Sequence, residues 1–177
     1  MGWEIIDGHR KKAREVAFNI LVWGPSKQDK VDFGLRKCIQ NYLKSKGHSA
    51  KFSEELIDEG LVSAAPNKII DEIFHADAAN LIVVLYGSRG TQTEVDVILE
   101  FEEFARKSII LVKEDTWKRI RYSLSCDKWQ TFGAKVVVIP KKLWTGEDLC
   151  KKLDDVVVEF QFAEYLRDLK LRLLQNA

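Results

Sequence analysis

What this chain has little of bounds it first. Its 177 residues include only three cysteines, three histidines, three prolines and one methionine. Cys38, Cys126 and Cys150 are widely spaced with no Cys-x-x-Cys pair, which fits reduced core cysteines of a cytosolic protein better than a disulfide frame or a zinc site. His9, His48 and His75 stand alone, so no metal and no resident cofactor is expected. No apolar run approaches the length of a membrane span, and Met1–Arg10 is too polar for a secretory leader. An excess of one charge is missing as well. The formal net charge of +1 argues against a dedicated nucleic-acid binder. The aromatic residues also lack the basic interleaving that single-stranded nucleic acid requires. A cytoplasmic protein with neither membrane nor nucleic acid as partner is the expectation.

What is present reads as an ordinary globular domain, 46% apolar and 31% charged. One domain over 1–177 is expected, with 1–15 as an N-terminal extension and 146–177 as a C-terminal helix. Strand-like and helix-like segments alternate. Val16–Trp23 reads as a strand stopped by Gly24-Pro25. Asp29–Lys46 reads as a helix with Phe33, Leu35, Cys38, Ile39, Tyr42 and Leu43 on an apolar stripe, ended by Gly47. His48–Phe52 is a short strand, Leu56–Ala65 a loop or partial helix, and Pro66 opens a helix reaching about His75. The uncharged run Leu81–Tyr86 reads as a strand buried on both faces, followed by a helix from Thr93 to Arg106. Ser108–Val112 and Lys135–Ile139 are further strands, with a short helix over Asp115–Tyr122 between them.

Alternating β and α elements predict a parallel sheet joined by right-handed crossovers. The expected fold class is α/β, a flavodoxin-like three-layer sandwich with a five-stranded parallel sheet, order 2-1-3-4-5, and helices on both faces. In that order the switch point falls between the first and third strands. The loops Gly24–Lys30 and Gly87–Thr93, rich in Gly, Ser and Thr, then converge on one crevice.

The candidate ligand-binding residues follow from that convergence. Trp23, Gly24, Pro25 and Ser26 end the first strand, where backbone N–H groups backed by a helix N-terminus can hold an anionic or polyhydroxyl ligand. The same residues also read as a tight turn in which Ser26 caps the helix, with Asp29 completing a box. Tyr86, Gly87, Ser88, Arg89, Gly90 and Thr91 form the second wall. Its glycines allow close backbone approach, and Arg89 offers a fork for phosphate or carboxylate. Glu94 is the candidate catalytic residue, although Thr91-x-x-Glu94 is also a capping box. Glu54, in Ser53-Glu54-Glu55, offers a carboxylate to ribose hydroxyls or is a solvated helix start. Phe162, Leu166, Leu169 and Leu173 form a packing stripe on the last helix, facing the domain or a second subunit of a homo-oligomer.

These residues carry a resemblance. A first strand ending in Gly-Pro, the segment Ala76-Asp77-Ala78-Ala79-Asn80-Leu81-Ile82-Val83-Val84, and Gly90-Thr91-Gln92-Thr93-Glu94 together resemble the nucleoside 2-deoxyribosyltransferase family. In that family Gly-Thr-x-x-Glu opens the helix, and its glutamate attacks the anomeric carbon of the sugar. The strand led by Lys107 is similar to that family's lysine-led fourth strand. TIR domains share the architecture and carry a glutamate in the equivalent helix, and Glu54–Lys68 is TIR-like in length. The resemblance implies a nucleoside, nucleotide or NAD as small-molecule partner and cleavage of its base–ribose bond. It spans roughly Phe18 to Val112.

The chain departs from the transferases at two places. They carry an aspartate shortly after the third strand, where this chain has Tyr86-Gly87-Ser88-Arg89. They continue Glu-x-Gly-x-Ala, where this chain has Val95-Asp96-Val97-Ile98. A non-enzymatic TIR-like interaction module on the same fold therefore stays open beside an N-glycosidase. A response-regulator receiver fits poorly, because the terminal acidic pair of the first strand and the phosphorylatable aspartate of the third are both missing.

Overall fold

A computed structural model describes residues 2–58, 68–87, 95–96 and 99–175. The chain divides into two compact units, Phe18–Cys150 and a smaller one made of Met1–Ala17 with Lys151–Ala177.

The larger unit is a five-stranded parallel sheet in the order β2-β1-β3-β4-β5. Its strands are β1 (Asn19–Trp23), β2 (Ser49–Lys51), β3 (Leu81–Tyr86), β4 (Ser108–Lys113) and β5 (Lys135–Ile139). Helices cover both faces. They are α2 (Lys30–Ser45), α3 (Ser53–Asp58), α4 (Lys68–Ala78), α5 (Glu102–Ala105), α6 (Glu114–Ile120) and α7 (Leu124–Thr131). The expected fold class is the one observed.

The unbroken apolar run of β3 is explained by its central place. It pairs with β1 on one side and β4 on the other, with Val84 opposite Trp23 and Tyr86 opposite Val112. All six residues are buried, since helices leave neither face to water. Leu21, Trp23, Ile82, Val84, Tyr86, Ile110 and Val112 share a core cluster with Ala76 of α4, Phe104 of α5 and Trp129 of α7.

The close pairing of β1 and β3 explains Gly24. A Cβ there would lie 3.0 Å from Leu85 Cβ and 3.3 Å from the Leu85 carbonyl oxygen, closer than packed atoms tolerate. Gly24→Ala is expected to destabilise the fold by about 1–3 kcal/mol through overpacking. A lower urea midpoint at unchanged denaturant slope would register it.

Several local readings are corrected. The N-cap of α2 is Asp29, whose side chain accepts from the Asp32 amide; Ser26 contributes only a turn carbonyl, to the Asp29 amide. The buried face of α2 is Asp32, Arg36, Ile39, Gln40 and Leu43, so the apolar stripe holds only in part and Cys38 is exposed. Gly47, at φ 89°, ends that helix in the left-handed conformation glycine adopts without strain. The helix read as continuous from Thr93 to Arg106 is broken. Phe101 is extended (φ −88°, ψ 116°) and α5 restarts after it, which sends Phe104 and Ala105 into the core. The helix α7 has no counterpart among the elements expected from sequence. Its N-cap Ser123 accepts from the Cys126 amide, and it buries Trp129.

The smaller unit contains α1 (Gly2–Ala13) and most of α8 (Gly146–Gln175). Within it the Gln161 side-chain amide donates to the Arg14 and Val16 carbonyls at 3.2 and 2.8 Å, and His9 lies 2.9 Å from the Tyr165 hydroxyl. Among the described residues no helix is long and apolar enough to cross a membrane.

Candidate ligand crevice at the C-terminal edge of the sheet

Parallel strands all end at the same edge, and the segments after β1, β2, β3 and β4 leave the sheet there. Two buried side chains of α2 organise the edge. Arg36, only 2% exposed, donates through Nε and Nη2 to the Val22 carbonyl at 3.1 and 2.9 Å. Its other N–H groups form a two-pronged pair with the Glu54 carboxylate at 3.1 and 3.0 Å, and its guanidinium stacks 4.2 Å over the Phe52 ring. Arg36 thus ties the end of β1 to the start of α3.

Glu54 is therefore neither free nor simply solvated. Burial alone pushes its pKa up, but the Arg36 hydrogen bonds and charge outweigh that and hold the carboxyl below its ordinary 4.5. A lowered folded value means the ionised group stabilises the fold above the unfolded value, and this contribution is lost as pH falls through the folded one. The stability difference between wild type and Glu54→Gln is expected to shrink steadily in urea titrations taken from pH 6 down to pH 3. A difference independent of pH would show that the pair contributes nothing. Glu55 is also engaged, accepting from the Phe52 amide at 2.9 Å and from Gln40.

Asp32 is the second organiser. Its carboxylate accepts from Lys113 Nζ at 3.3 and 3.2 Å and from Trp144 Nε1 at 3.2 Å, and the Lys113 ammonium lies 5.0 Å from the Trp144 ring centroid. A Cβ on Gly87 would meet Asp32 Oδ2 at 3.1 Å. The first turn of α2 and the end of β3 therefore lie against each other, and a side chain at 87 would crowd the Asp32 carboxylate. The Lys113 side chain stays 34% exposed, which places a cation at this edge.

The residues named from sequence fall in different places. Gly24 and Gly87 lie at the two strand ends beside the switch point, with Pro25 buried and Ser26 exposed in the loop after β1. Trp23 is buried, its indole donating to Ser53 Oγ at 2.8 Å; Ser53 in turn donates to Glu72 at 3.2 Å. Tyr86 packs edge-to-face on Trp129 in the core, and burial, with Asp96 and Cys126 nearby, pushes its phenol upward. Ser88, Arg89, Gly90, Thr91 and Glu94 lie outside the described residues. Lys107 stands at the opposite end of β4, where its ammonium caps the Asp77 and Ala79 carbonyls at 3.3 and 2.8 Å.

Arg36, Asp32, Lys113 and Trp144 were missed. A signal existed for the first two, since counting back by helical spacing from Leu43 and Gln40 puts charges on the buried face at 36 and 32. Lys113 and Trp144 carry none, because their meeting with Asp32 joins positions 81 and 112 residues apart in sequence.

These features define a doubly wound α/β protein whose β1 and β3 meet at the topological switch point, the place where such sheets bind ligands. No protein-family model matches the chain, and neither does any curated protein. Among solved structures, the CMP N-glycosidase BcmB of Clostridium botulinum matches with a TM-score of 0.48 at 15% identity, over 76% of this chain and 98% of that one. A likeness that distant assigns no residue and no activity to this chain.

Proposed function

We propose that this edge binds a nucleoside, nucleotide or NAD-type molecule and cleaves its base–ribose bond, with Glu94 as nucleophile or as stabiliser of the sugar cation. The observation that carries the reading is the contact of α2 with β3. Asp32 stands beside Gly87, so the start of α2 and the end of β3 meet at the switch point. The resemblance of Gly90-Thr91-x-x-Glu94 to the deoxyribosyltransferase and TIR superfamily supplies the chemical role, and a cytoplasmic single-domain protein of that kind is part of the same proposal.

Breaking an N-glycosidic bond passes through an oxocarbenium-like state in which positive charge builds at the anomeric carbon. The electron pair of the breaking C–N bond leaves with the base. A carboxylate stabilises the cation or bonds to it, and water then gives its hydroxyl to the sugar and its proton to the base. Nicotinamide in NAD leaves as a neutral molecule and needs no acid, so there the proton of the attacking water passes to solvent. Ser88–Thr91 with Gly24 and Ser26 would hold ribose or phosphate, and Lys113 adds a cation suited to phosphate.

Incubation of the protein with NAD, deoxynucleosides and nucleoside 5′-monophosphates, followed by chromatography, is expected to release free base or nicotinamide from one of these classes. No release from any of them overturns the catalytic reading. The second reading is an interaction module. It is favoured by the exposure of Leu166, Leu171, Leu173 and Leu174 near the end of α8, and it requires a stable oligomer in light scattering.

A further inference from the structure

Away from the crevice, the larger unit has a cavity of about 270 Å³ at the N-terminal half of β1. Leu21, Ser49, Leu56, His75, Ala78 and Ala79 are among its lining residues, drawn from β1, β2, α3 and the end of α4. Leu21 lies three residues before Gly24, roughly 10 Å along an extended strand from the crevice.

The walls are largely apolar, with Asn19, Ser49 and Lys51 toward the rim, and His75 is the buried polar side chain among them. It is 1% exposed, and neither ring nitrogen has a hydrogen-bond partner among the described residues. The Glu72 carboxylate approaches Nδ1 only to 3.8 Å, beyond hydrogen-bonding distance, and is already engaged by Ser53. Buried polar side chains are overwhelmingly satisfied in native proteins, and an unsatisfied one calls for a missing partner.

We infer that this cavity binds a small, mainly apolar molecule carrying one hydroxyl, which completes the hydrogen bonding of His75. A hydroxyl suits either tautomer, since it donates and accepts. An anionic ligand is disfavoured by the Glu72 carboxylate beside the imidazole, and Lys51 at the rim has an interaction of its own. The volume lies just under the roughly 300–1,000 Å³ of pockets for drug-sized ligands, which limits the occupant to about one ring.

Phenol and toluene are nearly equal in shape and differ by the hydroxyl, so they test the inference. In the full chain labelled with ¹⁵N-histidine, phenol is expected to shift the His75 ring nitrogens on saturation and to bind at least ten-fold tighter than toluene. His75→Leu is expected to abolish that preference while toluene still binds. The wild-type titration decides even where the variant fails to fold. Equal affinity for the two probes, absence of binding by either, or ring nitrogens already hydrogen-bonded in the free protein would each overturn the site. None of these results depends on Glu94 or on base release.

Discussion

Glu94→Gln is expected to lower base release by about 10³-fold while leaving the fold intact. The magnitude is that of removing one preorganised group that stabilises transition-state charge. Glutamine has the size of glutamate and lacks only the charge, which is what an anomeric cation requires. It also keeps the other role open to this residue, since glutamine serves at the third position of a capping box as glutamate does. The variant therefore separates chemistry from capping. Glu94→Ala removes both and is expected to lose about 1 kcal/mol of stability as well. Chromatography of released base beside a urea melt of each variant gives the comparison. Release by Glu94→Gln at the wild-type rate would leave the residue as a helix cap and nothing more.

Arg36→Leu is expected to destabilise the protein by about 3 kcal/mol, the largest effect on stability among the substitutions considered. Leucine fills part of the space but leaves the buried Val22 carbonyl without its two donors, and an unsatisfied buried acceptor costs about 1–3 kcal/mol. The stacking on Phe52 is lost too, worth roughly 1–2 kcal/mol where a cation is desolvated. Loss of the Glu54 pair itself adds little, because the Glu54 side chain is 49% exposed and water can replace the guanidinium. Glu54→Gln is accordingly expected to cost about 1 kcal/mol, since the amide oxygen still accepts from Arg36. Urea midpoints at pH 7 give both numbers. A loss below 1 kcal/mol for Arg36→Leu would show that the end of β1 holds its shape without the clamp.

Legibility in the sequence followed the range of the interactions. β3 is legible to the residue and β4 to within one, because burial on both faces writes an unbroken apolar run that no neighbouring element alters. The edge strand β5 is legible from its β-branched run Val136-Val137-Val138-Ile139 although it is largely unburied. The expected strand Val16–Trp23 begins three residues before β1 does, because a sheet pairing sets where β1 starts: Asn19 lies opposite Ser49. Glu54 and Glu55 read as solvated because an acidic helix start looks the same whether or not a buried arginine waits beside it. Cys38 reads as a core residue by type, yet it lies on the outer side of a helix whose inner side is taken by Asp32 and Arg36.

The sequence by itself determined the architecture. Its alternation of apolar runs with helical spacing leaves few ways to cover a parallel sheet, and right-handed crossovers reduce them to a doubly wound order. It also set glycine at the ends of β1 and β3. Only the tertiary structure decided what those glycines face, a Leu85 backbone in one case and an Asp32 carboxylate in the other. The pairing of Asp32 with Lys113 and Trp144, the clamp of Arg36 on Val22 and Glu54, and the placement of His75 on an apolar cavity were likewise decided there. The physical reason is that backbone pairing and burial are local in pattern. The satisfaction of a buried charge or imidazole depends instead on groups that meet only once the sheet and its helices have closed around them.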